Sequence, residues 1–162
     1  MARKPILSAG GVVVRKGARP LIAVVQRSKD ESWVLPRGKL KPRERPRAGA
    51  RREAVEETGH KMSVREFLGA IAYRADGGPK VVQLWHMRAA KNPSRDPARD
   101  IAAVAWLPLA KAIARLTYPL ERLFLHNVGG ALIRKRSKRK LRKATARAAR
   151  KKSSKKAAKR ER

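Results

Sequence analysis

There is no cysteine in the 162 residues. Its absence excludes a disulfide framework and any zinc–thiolate centre, and is compatible with a reducing compartment. The cytoplasm is therefore the expected location. No apolar run approaches the roughly 18 residues that a membrane-spanning helix requires, so no membrane association is expected. The opening MARKPILSAGGVVV has a basic start, but its apolar part is short and broken by glycine. It reads as a first strand rather than a secretory signal. Acidic residues are scarce as well: 12 face 43 lysines and arginines, for a net charge of +31.

The excess of positive charge is uneven. The 29 residues from Arg134 to Arg162 hold 17 Lys and Arg and one acid, Glu161, or +16 of the +31. The rest is still strongly basic, and both parts point to anionic partners such as phosphates, polyphosphates or nucleic acid. The length suits one domain with an appendage. We place the domain at 1–131 and the tail at 132–162. The tail is low in complexity, with almost nothing to bury, and is expected to be disordered alone. Alanine and lysine would allow it to become helical on a polyanion. It resembles the lysine- and alanine-rich ends of histone-like proteins.

Within the domain, Ile6 to Arg15 and Leu21 to Gln26 read as two strands joined by a turn. Ser28 to Pro46 is rich in Pro, Gly and charge and reads as a long loop, which in a small domain is usually functional. A helix is expected from about Arg47 to Thr58, with Pro46 in its first turn and Gly59 as C-terminal cap. MSVREFLGAIAYRA and KVVQLWHMRAA follow as strands around the turn DGGP. After the loop KNPSRDPARD, IAAVAWLPL reads as a short strand. A mostly helical stretch to Ile133 is divided by Pro119.

The scarce acids are concentrated. Glu53, Glu56 and Glu57 share one helix face, and Glu44 precedes them by nine residues. Three carboxylates within one turn repel each other and raise one another's pKa. Such clusters occur on solvated helix surfaces, where Arg52 would ease the repulsion through an i,i+4 pair with Glu56. Divalent metal is the other remedy, because carboxylate oxygens are natural ligands of Mg²⁺ and Mn²⁺. The loop before the helix offers Arg37, Lys39 and Lys41 to phosphate oxygens, and Gly38 permits close backbone approach.

Gly38, Glu44 and the segment REAVEETGH from Arg52 resemble the Nudix box, Gly-x5-Glu-x7-Arg-Glu-U-x-Glu-Glu-x-Gly-U, where U is a bulky aliphatic residue. Gly38, Glu44, Arg52, Glu53, Glu56, Glu57 and Gly59 match in spacing. Ala54 is a small first U, and His60 departs from the last. SAGGVVV, WVLPRGKL and AWLPLAKA extend the resemblance over roughly Lys4 to Val128.

The resemblance implies an α/β (α+β) fold, the Nudix α/β/α sandwich with a mixed sheet. It also implies Mg²⁺- or Mn²⁺-dependent hydrolysis of a nucleoside diphosphate linked to another group. Carried onto this chain, Glu53, Glu56 and Glu57 look like metal ligands, with Glu44 an outer one. Glu53 or Glu57 would be the base and Arg52 an orienting residue. Arg37, Gly38 and Lys39 would meet the phosphates, and Asp100 is a further candidate acid. LPRGKL and LTYPLERLFL are similar to segments of members acting on dinucleoside polyphosphates and oxidised guanine nucleotides. The expected substrate is accordingly a phosphate-rich nucleotide. A diphosphoinositol polyphosphate hydrolase and a nucleic-acid-binding module with an inactive domain are the alternatives. Trp33, Trp85 or Tyr73 could stack on a base, although aromatics in a small domain are more often core. His86 is read as structural.

Overall fold

The structure is a computed structural model that describes residues 4–15 and 17–158, with the backbone alone for 135–144 and 151–158. The outermost residues of the expected domain and tail, 1–3 and 159–162, lie outside the described residues, as does Lys16. In chain order the elements are β1 (Ile6–Arg15), β2 (Leu21–Arg27), β3 (Trp33–Val34), β4 (Arg37–Lys39), α1 (Pro46–Thr58), β5 (Met62–Ala75), β6 (Gly78–Ala89), β7 (Ile101–Leu107), α2 (Leu109–Arg115) and α3 (Pro119–Ala158).

The seven strands form one mixed sheet. β1 is its centre, and ILSAGGVVVR has the near-continuous burial of a strand covered on both faces. One edge of β1 runs parallel to β6, from Ile6 opposite Lys80 to Arg15 opposite Ala89. The other edge is shared by two antiparallel partners: β4 near the start, with Gly10 opposite Arg37, and β2 at the end, with Val14 opposite Ile22. β2 also pairs with β3 and β7, and β5 pairs with β6.

Alternation along the strands divides the core into two layers. One layer joins Ala9 and Val13 of β1, Ala23 of β2 and Trp85, Met87 and Ala89 of β6 to Ala50 and Ala54 of α1. Alanine at 50 and 54 lets α1 lie close to the sheet. Val12, Ile22, Val24, Val82 and Leu84 alternate to the opposite face; Ala112 of α2, Leu116 just after α2 and Leu125 of α3 are likewise fully buried. α1 starts without a side-chain cap and ends at Gly59, whose φ of 74° favours glycine. A Cβ there would also lie 2.3 Å from the Arg95 carbonyl oxygen.

The helix and strand expectations hold in place, with α1 beginning at Pro46. One difference stands out. The segment read as a long loop contains the short strands β3 and β4. The tail, for which disorder alone and a helix were both open, is helical here to Ala158. No glycine or proline falls between Ala131 and Ala158, and Ala, Lys and Arg are strong helix formers. The chain divides into two compact units, Met1–Gly129 and Gly130–Arg162, and the described residues of the second are helical.

Candidate active site

Docking α1 through Ala50 and Ala54 leaves Glu53 and Glu57, one turn apart, on the neighbouring stripe of the helix against β4. The Glu57 carboxylate is buried, and its Oε2 accepts the backbone N–H of Arg37 at 3.0 Å. The Glu53 carboxylate lies against Gly38, where a Cβ would come within 2.1 Å of it. Glycine at 38 leaves the Glu53 carboxylate room to lie there.

Arg52 organises the remaining acids. Its Nε and Nη2 donate to the two oxygens of Glu44 at 2.7 and 2.9 Å, a bidentate pair. Its Nη1 donates to Glu53 at 2.6 Å and to Glu56 at 3.2 Å. Nη2 also reaches the Lys39 carbonyl at 3.2 Å. Glu44 Oε2 further accepts the Lys41 N–H at 2.9 Å, closing the loop before α1.

The electrostatics divide the glutamates into two kinds. The hydrogen bonds from Arg52, then that from the Lys41 backbone, pull Glu44 down to about 2. Glu53 is raised, chiefly by burial, against the opposing pull of Arg52. Glu57 is pushed up to about 8. Burial is the main cause, opposed by the Arg37 N–H, with the Glu53 and Asp100 charges adding to the rise.

A carboxyl group with a pKa near 8 is mostly protonated at neutral pH. Its folded pKa exceeds its ordinary value of 4.5, so its contribution to stability is complete below about pH 4.5 and is lost as pH rises through 8. In chelator, the thermal midpoint is expected to fall between pH 5 and 8. The slope for one proton reaches about 1.4 kcal/mol per pH unit. Glu57→Gln should flatten it; a wild-type midpoint independent of pH over that interval would show that Glu57 is not held this way.

The donor set suits a hard divalent ion in kind: its candidate side-chain donors are carboxylates, with Glu57 buried and Glu53 partly buried beside it. Among the described residues, no three acidic or histidine side chains already surround one cation position. Arg52 accounts for that, because its guanidinium stands among Glu44, Glu53 and Glu56. An ion bound there competes with Arg52 Nη1 for Glu53 and Glu56.

Arg37 departs from its expected place. Its side chain turns inward rather than to phosphate: the residue is 7% exposed, and Nε donates to Glu121 Oε1 at 2.5 Å. A desolvated guanidinium requires a countercharge. Burial alone would lower its pKa, but Glu121, Tyr73 and Glu57 outweigh that and raise it. Lys39 and Lys41 are exposed. Asp100 is exposed too, and its carbonyl oxygen accepts the Ser28 N–H at 2.8 Å. The Ala98 N–H, from the same loop, bonds the Glu56 carbonyl at 2.8 Å, so this loop closes over the end of α1.

Two residues escaped the sequence reading. Lys80 pairs with Tyr73 across β5 and β6 and is lowered to about 8, first by burial and then by Arg37, Arg27 and Lys39. Its signal was a charge at the head of an apolar strand. Glu121 is 1% exposed, and its signal was a lone acid just inside a helix of a basic chain.

His60 packs edge-on against Trp106, with ring centroids 4.9 Å apart, and its Nδ1 lies 2.9 Å from the Ala90 oxygen. It fills the end of α1 where an aliphatic residue was expected. Trp85 is buried against Phe67, and the Trp33 ring is covered by Arg115. His86 Nδ1 lies 3.2 Å from Glu66.

A mixed sheet between helices, with a glutamate-bearing helix entered through a glycine strand, is the frame on which this site is built. Residues 4–127 match the family model described as NUDIX domain, and the chain belongs to that family. An 8-oxo-(d)GTP phosphatase of Mycolicibacterium smegmatis is 37% identical over 106 residues, covering 64% of this chain and 32% of that protein. A MutT-like protein of Streptomyces ambofaciens is 33% identical over 101 residues, 62% of each chain. This chain thus spans less than two thirds of either relative's length. Among solved structures, a C. elegans Ap4A hydrolase binary complex superposes with a TM-score of 0.71 at 25% identity, covering 78% of this chain and 97% of that one.

Proposed function

We propose that the protein is a metal-dependent pyrophosphohydrolase that cleaves a phosphoanhydride bond in a phosphate-rich nucleotide, of the 8-oxo-(d)GTP or diadenosine polyphosphate kind. One observation supports this above the others. Two carboxylates held up by burial, Glu53 and Glu57, adjoin residues 37–38, and the half-buried Lys80 lies within reach of the Arg27 and Lys39 charges. The 8-oxo-(d)GTP phosphatase and the Ap4A hydrolase named above bear names of these substrate kinds, which supports the substrate class.

Glu53, Glu56 and Glu57 would hold Mg²⁺ or Mn²⁺, with Glu44 outside them. When bound, the ion supplies charge neutralisation and a lowered pKa for water. The chain's own residues do the rest. Glu57 or Glu53 accepts the proton of the attacking water. The Arg37 amide fixes the direction of Glu57, and Arg52 fixes Glu44, Glu53 and Glu56. Lys39, Lys80 and Arg27 face the phosphate charge, so binding energy falls on the polyphosphate and grows with its charge. No helix among the described residues is long and apolar enough to cross a membrane; a cytoplasmic location belongs to this proposal.

The test is a hydrolysis panel with Mg²⁺ or Mn²⁺: 8-oxo-dGTP, diadenosine polyphosphates, ordinary NTPs, ADP-ribose, NADH and diphosphoinositol polyphosphates. Preferential turnover of the first two is expected, and inertness on every compound would remove the hydrolase reading.

The tail belongs to a second part of the proposal, non-specific binding of nucleic acid. Fourteen lysines and arginines lie in the 25 helical residues from Arg134 to Ala158. At about 1.5 Å per residue that is one cation per roughly 2.7 Å, comparable to the charge spacing of a duplex. Leu141 is the sole large apolar residue there, which disfavours insertion into a lipid surface. Truncation at Leu132 is expected to abolish a salt-dependent gel shift of DNA or RNA; full retention would refute the tail's role.

A further inference from the structure

The entry to α3 is bonded to the strand segment that leads into the box. Trp33 N–H donates to Thr117 Oγ1 at 2.8 Å, and Thr117 N–H donates to the Trp33 carbonyl at 2.9 Å. Four residues on, Glu121 answers the same segment twice. Its Oε2 accepts the Leu35 N–H at 3.1 Å and its Oε1 accepts Arg37 Nε at 2.5 Å. TYPLE and WVLPR are therefore paired pieces of one structure, although about 80 residues separate them.

The segment Leu35–Arg37 has little freedom elsewhere. The Pro36 carbonyl accepts the Gly11 N–H at 3.0 Å, and a Cβ on Gly10 would approach that oxygen to 2.1 Å and the Arg37 Cβ to 2.6 Å. Arg37 N–H is in turn the donor to Glu57 Oε2. An unbroken path of bonds thus runs from the Glu121 carboxylate through residue 37 to the Glu57 carboxylate. Glu121 also engages the Arg37 guanidinium, which would otherwise be a cation free to pair with the nearby acids.

We infer that Glu121 is a positioning residue for hydrolysis: it anchors Leu35–Arg37 so that the Arg37 amide meets Glu57, and it keeps the Arg37 guanidinium in the core and out of the carboxylate cluster. This rests on the hydrolytic reading of the site. The carboxylate is suited to the task because it accepts from a backbone N–H and a guanidinium at once, and it is charged as the guanidinium requires. Residues that orient a site's ligands in this way cost about 10–100-fold in metal affinity or activity when changed.

The test compares full-length Glu121→Gln with Thr117→Val. The second cuts a bond between the same two segments without touching residue 37. At a temperature where both are folded, Glu121→Gln is expected to lower kcat by about tenfold or more with KM changed less than about threefold. Thr117→Val is expected to keep kcat near the wild type. Mn²⁺ binding, titrated by electron paramagnetic resonance without substrate, should weaken in Glu121→Gln alone.

Wild-type kcat and Mn²⁺ affinity in Glu121→Gln would overturn the inference, and so would equal loss of kcat in Thr117→Val. If Glu121→Gln does not fold, the double variant Arg37→Leu/Glu121→Leu removes both buried charges. It should show the same fall in kcat and Mn²⁺ affinity, and wild-type values there would likewise overturn the inference. A wild type that binds Mn²⁺ but hydrolyses nothing removes the hydrolase reading while the affinity comparison still tests Glu121.

Discussion

Replacing Glu57 by glutamine is expected to remove hydrolysis while leaving the fold as stable as before, or more stable above neutral pH. The two effects have one cause. Glu57 is buried and pushed up to about 8, so its ionised form is what the folded protein tolerates least. Glutamine has the same shape, its oxygen can still accept the Arg37 N–H, and it never has to ionise. Chemistry needs the charge that folding disfavours. A general base contributes about 10²–10⁴-fold, so kcat should fall by at least about a hundredfold. The measurement pairs kcat on the best compound of the panel with thermal midpoints in chelator at pH 6 and pH 8. An active Glu57→Gln would pass the base role to Glu53 or Asp100. A variant destabilised by several degrees at pH 8 would show that ionised Glu57 supports the fold.

Much of the fold was legible because local and global preferences agree. β1 and β2 are β-branched runs that alternate to two buried faces, and α1 is bounded by Pro46 and Gly59. β3 and β4 were not legible. They have two and three residues, and no periodicity can be read from so few. What makes them strands is their partners: Gly10 admits Arg37 across from it, and Gln26 and Val25 pair with Trp33 and Val34. The tail left two states open, disordered or helical, for a different reason. Charge and low apolar content argue against a packed core, but they do not oppose a helix rich in Ala, Lys and Arg.

For the candidate site, spacing placed the carboxylates together, because i, i+3 and i+4 fix a shared helix face whatever the tertiary structure. Spacing could not say which glutamate would be buried. That follows from where α1 docks, and it separates Glu57, which takes a backbone N–H, from Glu56, which meets Arg52 on the open side. The four bonds of Arg52 to three carboxylates were visible only as one i,i+4 pair. Arg37 was misplaced because a basic residue in a Gly- and Pro-rich loop reads as exposed. Its true partner, Glu121, lies 84 positions away, beyond the reach of any local pattern.

That pair leads to the largest stability effect expected in the molecule. Arg37 and Glu121 have side chains 4% and 1% exposed, so removing one leaves the other as a buried charge without its hydrogen-bonded counter-ion. Glu121→Ala is expected to cost about 3–5 kcal/mol, a large part of the roughly 5–15 kcal/mol that holds a domain folded. It also leaves the Leu35 N–H without its acceptor. Arg37→Leu should be comparably costly, because it isolates the Glu121 carboxylate. The double variant Arg37→Leu/Glu121→Leu removes both charges and fills their space with apolar atoms. Its cost should shrink to that of the unpaired Leu35 N–H, about 1–3 kcal/mol. Urea unfolding of the four proteins measures the cycle directly. A double variant more stable than either single one establishes that the interior holds a mutually dependent ion pair. If the two single losses simply add, the charges act independently, and the link from α3 to the box rests on the two bonds between Trp33 and Thr117.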